Sequence, residues 1–510
     1  VEVPSSRTTP AVAAYDLVER VQAAAELLEE IARDRGLLAR LPDELRRRFL
    51  TAAGRVSRPE RDELRSMAKA FRRNDRKERR QADDAILEAT GIRSARKAPV
   101  FVTPPPLLAG VPIANEPAPA GELREPRKCY VCKTEFRTVH AFYDQMCSPC
   151  GDLNLRKRHQ TADLRGRVAI VTGARVKIGY HAAIKLLRAG CHVVVTTRFP
   201  RDAAARYARE VDFEDFRDRL EIHGLDLRHT PSVEAFAAHL GRTLGRLDFL
   251  LNNACQTVRR PPGFYRHLVE AELAGDLPPA AKALLASWEA LRGAPSAPAL
   301  PGKTPTNAGL IAPVELSQLP LLAEDLREEI ALFPEGRLDA DLQQVDLRGR
   351  NSWRLTLAEV SSVELLEVQL VNAIAPFVLN ARLKPLMMRV PTADKHIVNV
   401  SAMEGQFYRA WKTDRHPHTN MAKAALNMMT RTSAADYVKD GIHMNSVDTG
   451  WITDEDPIEV AARKVDEHGF SPPLDVVDGA ARIVDPIFDG FLTGEHRWGA
   501  FLKDYAETPW

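Results

Sequence analysis

Cysteine, aromatic residues and net charge are all scarce in this sequence. Cysteine occurs six times, aromatic residues make up 6%, and 71 lysines and arginines face 69 aspartates and glutamates, leaving a net charge of +2. So even a balance offers no general attraction to nucleic acid or to an anionic membrane, and any basic surface must be local. Apolar runs such as residues 193–195 and 247–251 stop far short of the roughly 20 residues of a membrane span, so no membrane association is expected. No basic segment followed by an apolar one opens the chain at Val1, so no secretory signal is expected either, and the cytoplasm is the expected compartment.

What is present belongs to a folded protein. Hydrophobic residues at 45% and charged residues at 27% exclude wholesale disorder and a collagen-like chain. A length of 510 residues allows roughly three or four modules.

Four of the six cysteines form two Cys-x2-Cys pairs, Cys129 with Cys132 and Cys147 with Cys150, 14 residues apart. Without a secretory signal this spacing points to a metal before disulfides, and two such knuckles can place four thiolates around one zinc. A closed four-thiolate shell leaves no position for water, so the zinc is expected to be structural. Around it lie Lys128, Lys133, Arg137, Arg156, Lys157, Arg158 and His159, with Tyr130, Phe136, Phe142 and Tyr143. These residues form either a surface for nucleic acid or a partner protein, or a small aromatic core with its basic residues left in water. The second is preferred.

Before this unit, residues 1–97 read as a helical region, because Leu17, Val21, Ala24, Leu27, Leu28 and Ile31 recur at helical spacing. Within it, Arg72, Arg73, Arg76, Lys77, Arg79 and Arg80 form a basic stretch that is either a solvated helix face or a contact to phosphates. Residues 98–127 hold Pro104, Pro105, Pro106, Pro112, Pro117, Pro119 and Pro126 and read as an extended linker or a strap across the next domain. The zinc unit spans 128–162. From 163 to 510, strand candidates at 168–171, 192–197, 247–251, 396–400 and 443–447 alternate with amphipathic helices. That rhythm predicts an α/β fold, a doubly wound, Rossmann-like parallel sheet. It is lost over about 256–362, a proline- and alanine-rich insertion whose residues 294–305 are the expected flexible stretch.

The first strand runs into Thr172-Gly173-Ala174-Arg175-Val176-Lys177-Ile178-Gly179, followed by a helix ending in glycine. A strand, a glycine turn and a helix N-terminus together make a phosphate cradle. The second strand ends in Thr196-Thr197-Arg198, where a carboxylate would hold the ribose hydroxyls of NAD. Arginine suits the 2′-phosphate of NADP instead.

With Asp226-Leu227, Asn252-Asn253-Ala254, Asn372, Asn399-Val400-Ser401, Lys423 and Gly450, these motifs resemble the short-chain dehydrogenase/reductase family from about residue 164 to the end, insertion apart. The resemblance implies a seven-stranded sheet, a homo-oligomer, NADP(H)-dependent redox chemistry on a small carbonyl or alcohol, and cofactor contacts from Thr172, Gly173, Arg175, Lys177, Ile178, Gly179, Arg198, Asp226, Leu227, Asn253, Ala254, Lys423 and Gly450. It also implies a catalytic serine, tyrosine, lysine and asparagine. Asn372 and Lys423 match. The tyrosine position is Thr419 and the serine position is Ala402, with Ser401 displaced by one. Lys177 holds a glycine position, Cys255 follows Asn252-Asn253-Ala254, and Thr449 and Asp454 replace a proline and a threonine.

An aliphatic hydroxyl is a far weaker acid than a phenol, so Thr419 cannot simply take the tyrosine's part. Tyr408 is the first replacement candidate and His418 the second. Glu404 can instead pair with Arg409, and Cys255 is a nucleophile or, preferably, a small buried residue. Trp288, Phe333 and Trp353 of the insertion are expected at the substrate mouth or on an assembly surface. Two functions stay open: an oxidoreductase with a rebuilt proton donor, or a non-catalytic NADP(H)-binding scaffold that uses the zinc unit and N-terminal helices to meet a protein partner. Nucleic-acid binding ranks below both.

Overall fold

In the computed structural model, residues 10–98, 100–106, 118–274, 276–293, 312–326, 330–339, 343–407, 412–453, 455–468 and 471–510 are described. The expected flexible stretch at 294–305, Pro112, Pro117, Tyr408, Arg409 and Asp454 lie outside them. The chain divides into two units, Val1–Gln81 and Ala82–Trp510. The division falls before the expected boundary at 97 because Leu87 and Ile92 are buried in the core of the cysteine unit.

The first unit is helical as expected, with helices Pro10–Arg33 and Asp43–Ser57 and most of Arg61–Glu88. Its apolar stripe is exposed, at 58% for both Leu17 and Val21. The basic stretch is also exposed, and Arg79 pairs with Asp75 at 2.8 Å one turn away.

In the second unit, a hairpin of β1 (Gly121–Lys128) and β2 (Glu135–Val139) carries the first cysteine knuckle in its turn, and the second knuckle opens the helix Ser148–His159. Strand β1 corrects the linker expectation for residues 121–127. Pro126 is accommodated because the pairing is irregular between Glu122 and Arg127, where no ladder N–H is required. Residues 103–105 do form a strap: Thr103 Oγ1 lies 2.7 Å from His181 Nδ1, and Arg188 donates to Thr103 O at 2.8 Å.

The aliphatic runs become β3 (Val168–Thr172), β4 (His192–Thr197), β5 (Leu220–Gly224), β6 (Phe249–Asn252), β7 (Lys395–Ser401) and β8 (Ile442–Asp448), joined by the short β9 (Phe501–Lys503) and β10 (Ala506–Thr508). Their order is β10-β9-β8-β7-β6-β3-β4-β5. Seven strands run parallel as expected, and β10 adds an antiparallel eighth. Alternate side chains feed two cores. Val171, Val195 and Leu251 meet helices Lys177–Arg188 and Val476–Thr493 on one face. Ile170, Val194 and Leu250 meet Thr230–Thr243 and Ala375–Met387 on the other. The chain reverses direction across the sheet between β3 and β6, the switch point outside which such sheets bind ligands.

Continuous helix over Ser362–Met387 is long and apolar enough to cross a membrane by length and composition alone. Here Leu379, Leu383 and Leu386 spend that apolar face on the sheet.

The insertion does not deliver Trp288 to a mouth. Trp288 lies against Gly224 of β5, and Leu284 O accepts from Ile222 N–H at 2.9 Å, so this segment covers the sheet edge. Phe333 packs on Phe264, and Trp353 stacks on His416 with ring centroids 3.8 Å apart.

Candidate functional site

At the switch point β3 ends in Thr172, whose Oγ1 accepts hydrogen bonds from the N–H groups of Asn253 and Ala254, both at 3.0 Å. Asn253 Nδ2 donates back to Thr172 O at 3.0 Å. The turn is packed closely enough to require glycine. Gly173 has φ +67°, and a Cβ there would stand 2.8 Å from Ala254 Cα; one on Gly179 would stand 2.3 Å from Asn253 Nδ2. Lys177 opens the following helix at φ +55°, the left-handed region where a non-glycine residue costs about 1–2 kcal/mol. The first amides of that helix have no intrahelical acceptor and face a cavity, which suits them to a pyrophosphate.

The cavity has a volume of about 730 Å³ and runs from Gly173 and Ile178 past Arg198 and Asp226 to Cys255, Asn351 and Thr453. Its arginines are not equivalent. Arg175 is buried and tied to Asp202 at 2.7 Å and Gln343 at 3.3 Å, and burial lowers its pKa. Arg228 holds Asp226 at 2.6 Å and Glu367 at 2.9 Å. Burial works to raise Asp226, but the hydrogen bonds and charge of Arg228 outweigh it and leave the carboxyl lowered. Glu367 continues to Arg259 at 3.1 Å and Arg259 to Asp325 at 2.6 Å, so an ion-pair chain fastens the insertion to the end of β5. Arg198 makes no ion pair with a carboxylate among the described residues, although its charge also helps to lower Asp226. It donates to the Tyr265 hydroxyl at 2.7 Å and stacks over that ring at 4.5 Å. Tyr265 lies in the insertion, where no periodicity in the sequence singles it out. Leu227 is a buried apolar part of the wall.

The residues expected to be catalytic sit apart from this lining. Lys423 is buried and donates from Nζ to Val400 O at 2.8 Å. Asn372 lies in a π-helical turn, Leu370–Ile374, a local widening often found at functional sites. Its side chain accepts from Gln256 N–H at 2.8 Å and donates to Gln256 O at 3.1 Å. Thr419, one turn before Lys423 on the same helix, and Ser401 at the end of β7 both bury hydroxyls without a hydrogen-bond partner among the described residues. His418 is buried, with Nε2 3.4 Å from Glu364 Oε1. None of Lys423, Thr419, Ser401 or Asn372 lines the cavity. Cys255 does line it and is exposed, which corrects the expectation of a small buried residue, since its loop faces the opening instead of the sheet. Asn252 and Asn399 are structural: Asn252 Nδ2 donates to Asn380 and Asn399, each at 2.8 Å, locking β6 to β7.

The cysteine unit supplies a second set of donor atoms. The sulfurs of Cys129, Cys132, Cys147 and Cys150 lie within 4.8 Å of one another, with Cys132 and Cys147 3.7 Å apart. A tetrahedron with zinc–sulfur bonds of about 2.3 Å has edges of about 3.8 Å, so the four thiols fit one such ion. Tyr130, Phe136 and Tyr143 join the small core as expected. Lys128, Lys133, Arg137 and Arg156 are exposed as expected, but the bases further along the helix depart from expectation. Arg158 is buried, pairing with Asp475 at 2.7 Å and Asp478 at 2.8 Å, and Lys157 pairs with Asp485 at 2.6 Å. These contacts dock the unit on the sheet domain's last helix.

Two family models match the chain: "short chain dehydrogenase" over residues 167–268 and "Enoyl-(Acyl carrier protein) reductase" over 343–467. The gap between them falls within the insertion. The chain is 33% identical over 375 residues to the uncharacterized protein R665 of Acanthamoeba polyphaga mimivirus, covering 71% of each chain. It is 38% identical over 104 residues to dehydrogenase/reductase SDR family member 13 of Bos taurus, which spans 20% of this chain and 27% of that one. Among solved structures it is similar to a putative short-chain dehydrogenase/reductase from Burkholderia multivorans with bound NADP, at 18% identity and a TM-score of 0.39, covering 68% of this chain and 99% of that one.

Proposed function

The chain belongs to the short-chain dehydrogenase/reductase family of oxidoreductases, and from that premise we propose that it is an NADP(H)-dependent enzyme acting on a carbonyl or alcohol, with a proton donor other than the family's tyrosine. The observation that carries the cofactor choice is Arg198, a cavity arginine that makes no ion pair with a carboxylate among the described residues, next to a glycine turn that leads into a helix N-terminus. In this reading the amides of residues 177–179 bind the pyrophosphate, and Arg198, held flat by Tyr265, binds the 2′-phosphate. NADPH, when bound, supplies the hydride. Lys423 and Asn372 keep the family's places, and the phenol comes from Tyr408, which lies outside the described residues.

The four thiolates hold one structural zinc, and the unpaired cysteines fit a reducing cytoplasm. The exposed Leu366 and Phe377 on one helix and Met421 and Met428 on its neighbour would serve a homo-oligomer, and the apolar stripe of helix Pro10–Arg33 a protein partner. A non-catalytic NADP(H)-binding scaffold is the second reading, favoured by the absence of Lys423, Ser401 and Thr419 from the cavity lining.

Turnover decides between the two. NADPH consumption is expected with some member of a carbonyl panel, and Tyr408→Phe and Lys423→Ala should each lower kcat at least about hundredfold. Cofactor binding without turnover, unchanged in both variants, would establish the scaffold.

A further inference from the structure

Tyr130 stands inside the first cysteine knuckle, between Cys129 and Cys132, and its ring packs against the unit's small core while its hydroxyl reaches beyond it. Its hydroxyl oxygen accepts the N–H of Trp451 at 3.0 Å, in the loop after β8. Gly450, just before, has φ +79°, and a Cβ there would stand 3.1 Å from the Tyr130 oxygen and 2.4 Å from Leu474 Cδ1, so knuckle and loop are in direct contact. Tyr130 N–H donates to Gln145 O at 2.8 Å, and Gln145 Nε2 donates to Ser471 O at 2.7 Å, in the segment before the last helix, where Leu474 N–H donates in turn to Trp451 O at 3.3 Å. Leu474 is fully buried in the cysteine unit's core, and Ile452 packs against that core. Ile452 and Thr453 also line the cofactor cavity. One wall of the cavity is therefore the outer layer of the cysteine unit.

We propose that Tyr130 is a positioning residue through which the metal-loaded knuckle holds the loop at residues 450–453 against the cofactor, so that loss of the metal loosens one end of the cofactor site and leaves the other intact. This rests on the zinc and NADP(H) reading above. An ion that joins both knuckles fixes the backbone on either side of Tyr130, and the hydroxyl carries that restraint to Trp451. The end affected follows from the sheet order. Arg198 follows β4 and Gly450 follows β8, four strand spacings away, or roughly 19 Å. A ligand held at Arg198 ends short of Gly450 and meets at most the near edge of the loop, where Ile452 packs beside Ile178, whereas a full dinucleotide runs on along it.

The test compares two ligands, NADPH and adenosine 2′,5′-bisphosphate, which carries the phosphate directed to Arg198 but no nicotinamide half. Affinities for both, with metal content, are measured on the full chain, on Tyr130→Phe, and on each after treatment with a zinc chelator. Tyr130→Phe keeps the ring in the small core and so avoids the unfolding that a cysteine variant risks. It should retain its zinc, bind NADPH about five- to tenfold more weakly, and bind the bisphosphate as the parent does. Chelation should weaken NADPH binding at least as much in the parent protein, and by a smaller factor in Tyr130→Phe, because the two changes act on one link. Unchanged NADPH affinity in Tyr130→Phe, or an equal loss for the bisphosphate, overturns the proposal while the cofactor reading stands. A parent protein that binds no zinc or no NADPH overturns the underlying reading and this proposal with it.

Discussion

The two ends of the site are built from different materials. Under β3 and β4 the chemistry lies in the main chain, in a turn that needs glycine at 173 and 179 and in the free amides of a helix N-terminus. Under β7 and on the helix that carries Lys423 it lies in particular side chains, and there Ala402 and Thr419 occupy the two positions expected to handle the proton. A main-chain device tolerates change around it, since even Lys177 keeps the left-handed conformation of the glycine it stands for. A side-chain device is lost with one substitution. The glycine-turn end is therefore expected to be intact, and the end at Lys423 is where this chain departs from the pattern it resembles.

The largest effect expected is at the main-chain end. Gly179→Val adds a Cβ that would stand 2.3 Å from Asn253 Nδ2 and 2.5 Å from the Gly173 carbonyl oxygen, and it should weaken NADPH binding at least about hundredfold with a stability loss of about 3 kcal/mol. Lys423→Ala, at the other end, should change affinity less than about threefold. Titration of both variants checks this, and similar losses in the two would show that both ends carry the cofactor alike.

Next comes His181, buried on the helix that follows the glycine turn and in contact with Thr103 of the strap. Burial lowers its pKa from 6.5 to about 4, with Asp475 opposing and Arg158, Arg188 and Lys185 reinforcing the shift. The unfolded chain takes up the proton first, so this stabilisation is full above pH 6.5 and is lost as pH falls toward 4, about 3 kcal/mol in all. Urea unfolding at the two ends of that window should show a steeper acid loss in the parent than in His181→Gln, and equal slopes would contradict it. The smallest effect is that of Lys177→Gly, which relieves the positive φ against glycine's greater freedom when unfolded, for a net gain of about 0.5 kcal/mol seen in the melting temperature.

The same contrast explains which parts of the molecule are legible in the sequence. Strands β3 and β4 are runs of mostly β-branched residues, β7 and β8 still show short apolar stretches between polar residues, and the turn from Thr172 to Gly179 declares itself by its glycines. Strand β1 does not, because Gly-Glu-Leu-Arg-Glu-Pro-Arg-Lys is mostly charged and its pairing depends on the hairpin it shares with the knuckles. Strands β9 and β10 are three residues each, too short for any alternation to show. Arg198 could be picked out by its place after β4, but its partner Tyr265 could not, because it comes from an insertion without a period. In the sequence Arg158 is one of several bases expected to lie in water. Its two aspartates lie more than 300 residues further along the chain, beyond the reach of any local pattern.

In the proposed reading this site grips a dinucleotide, and Arg198 chooses the form with the extra phosphate. Calorimetric titration with NADPH and NADH side by side, on the parent chain and on Arg198→Ala, tests it most directly. The parent should bind NADPH at least about tenfold more tightly than NADH, and the variant should bind the two alike. Equal affinities in the parent, or a preference that survives in the variant, would contradict the account.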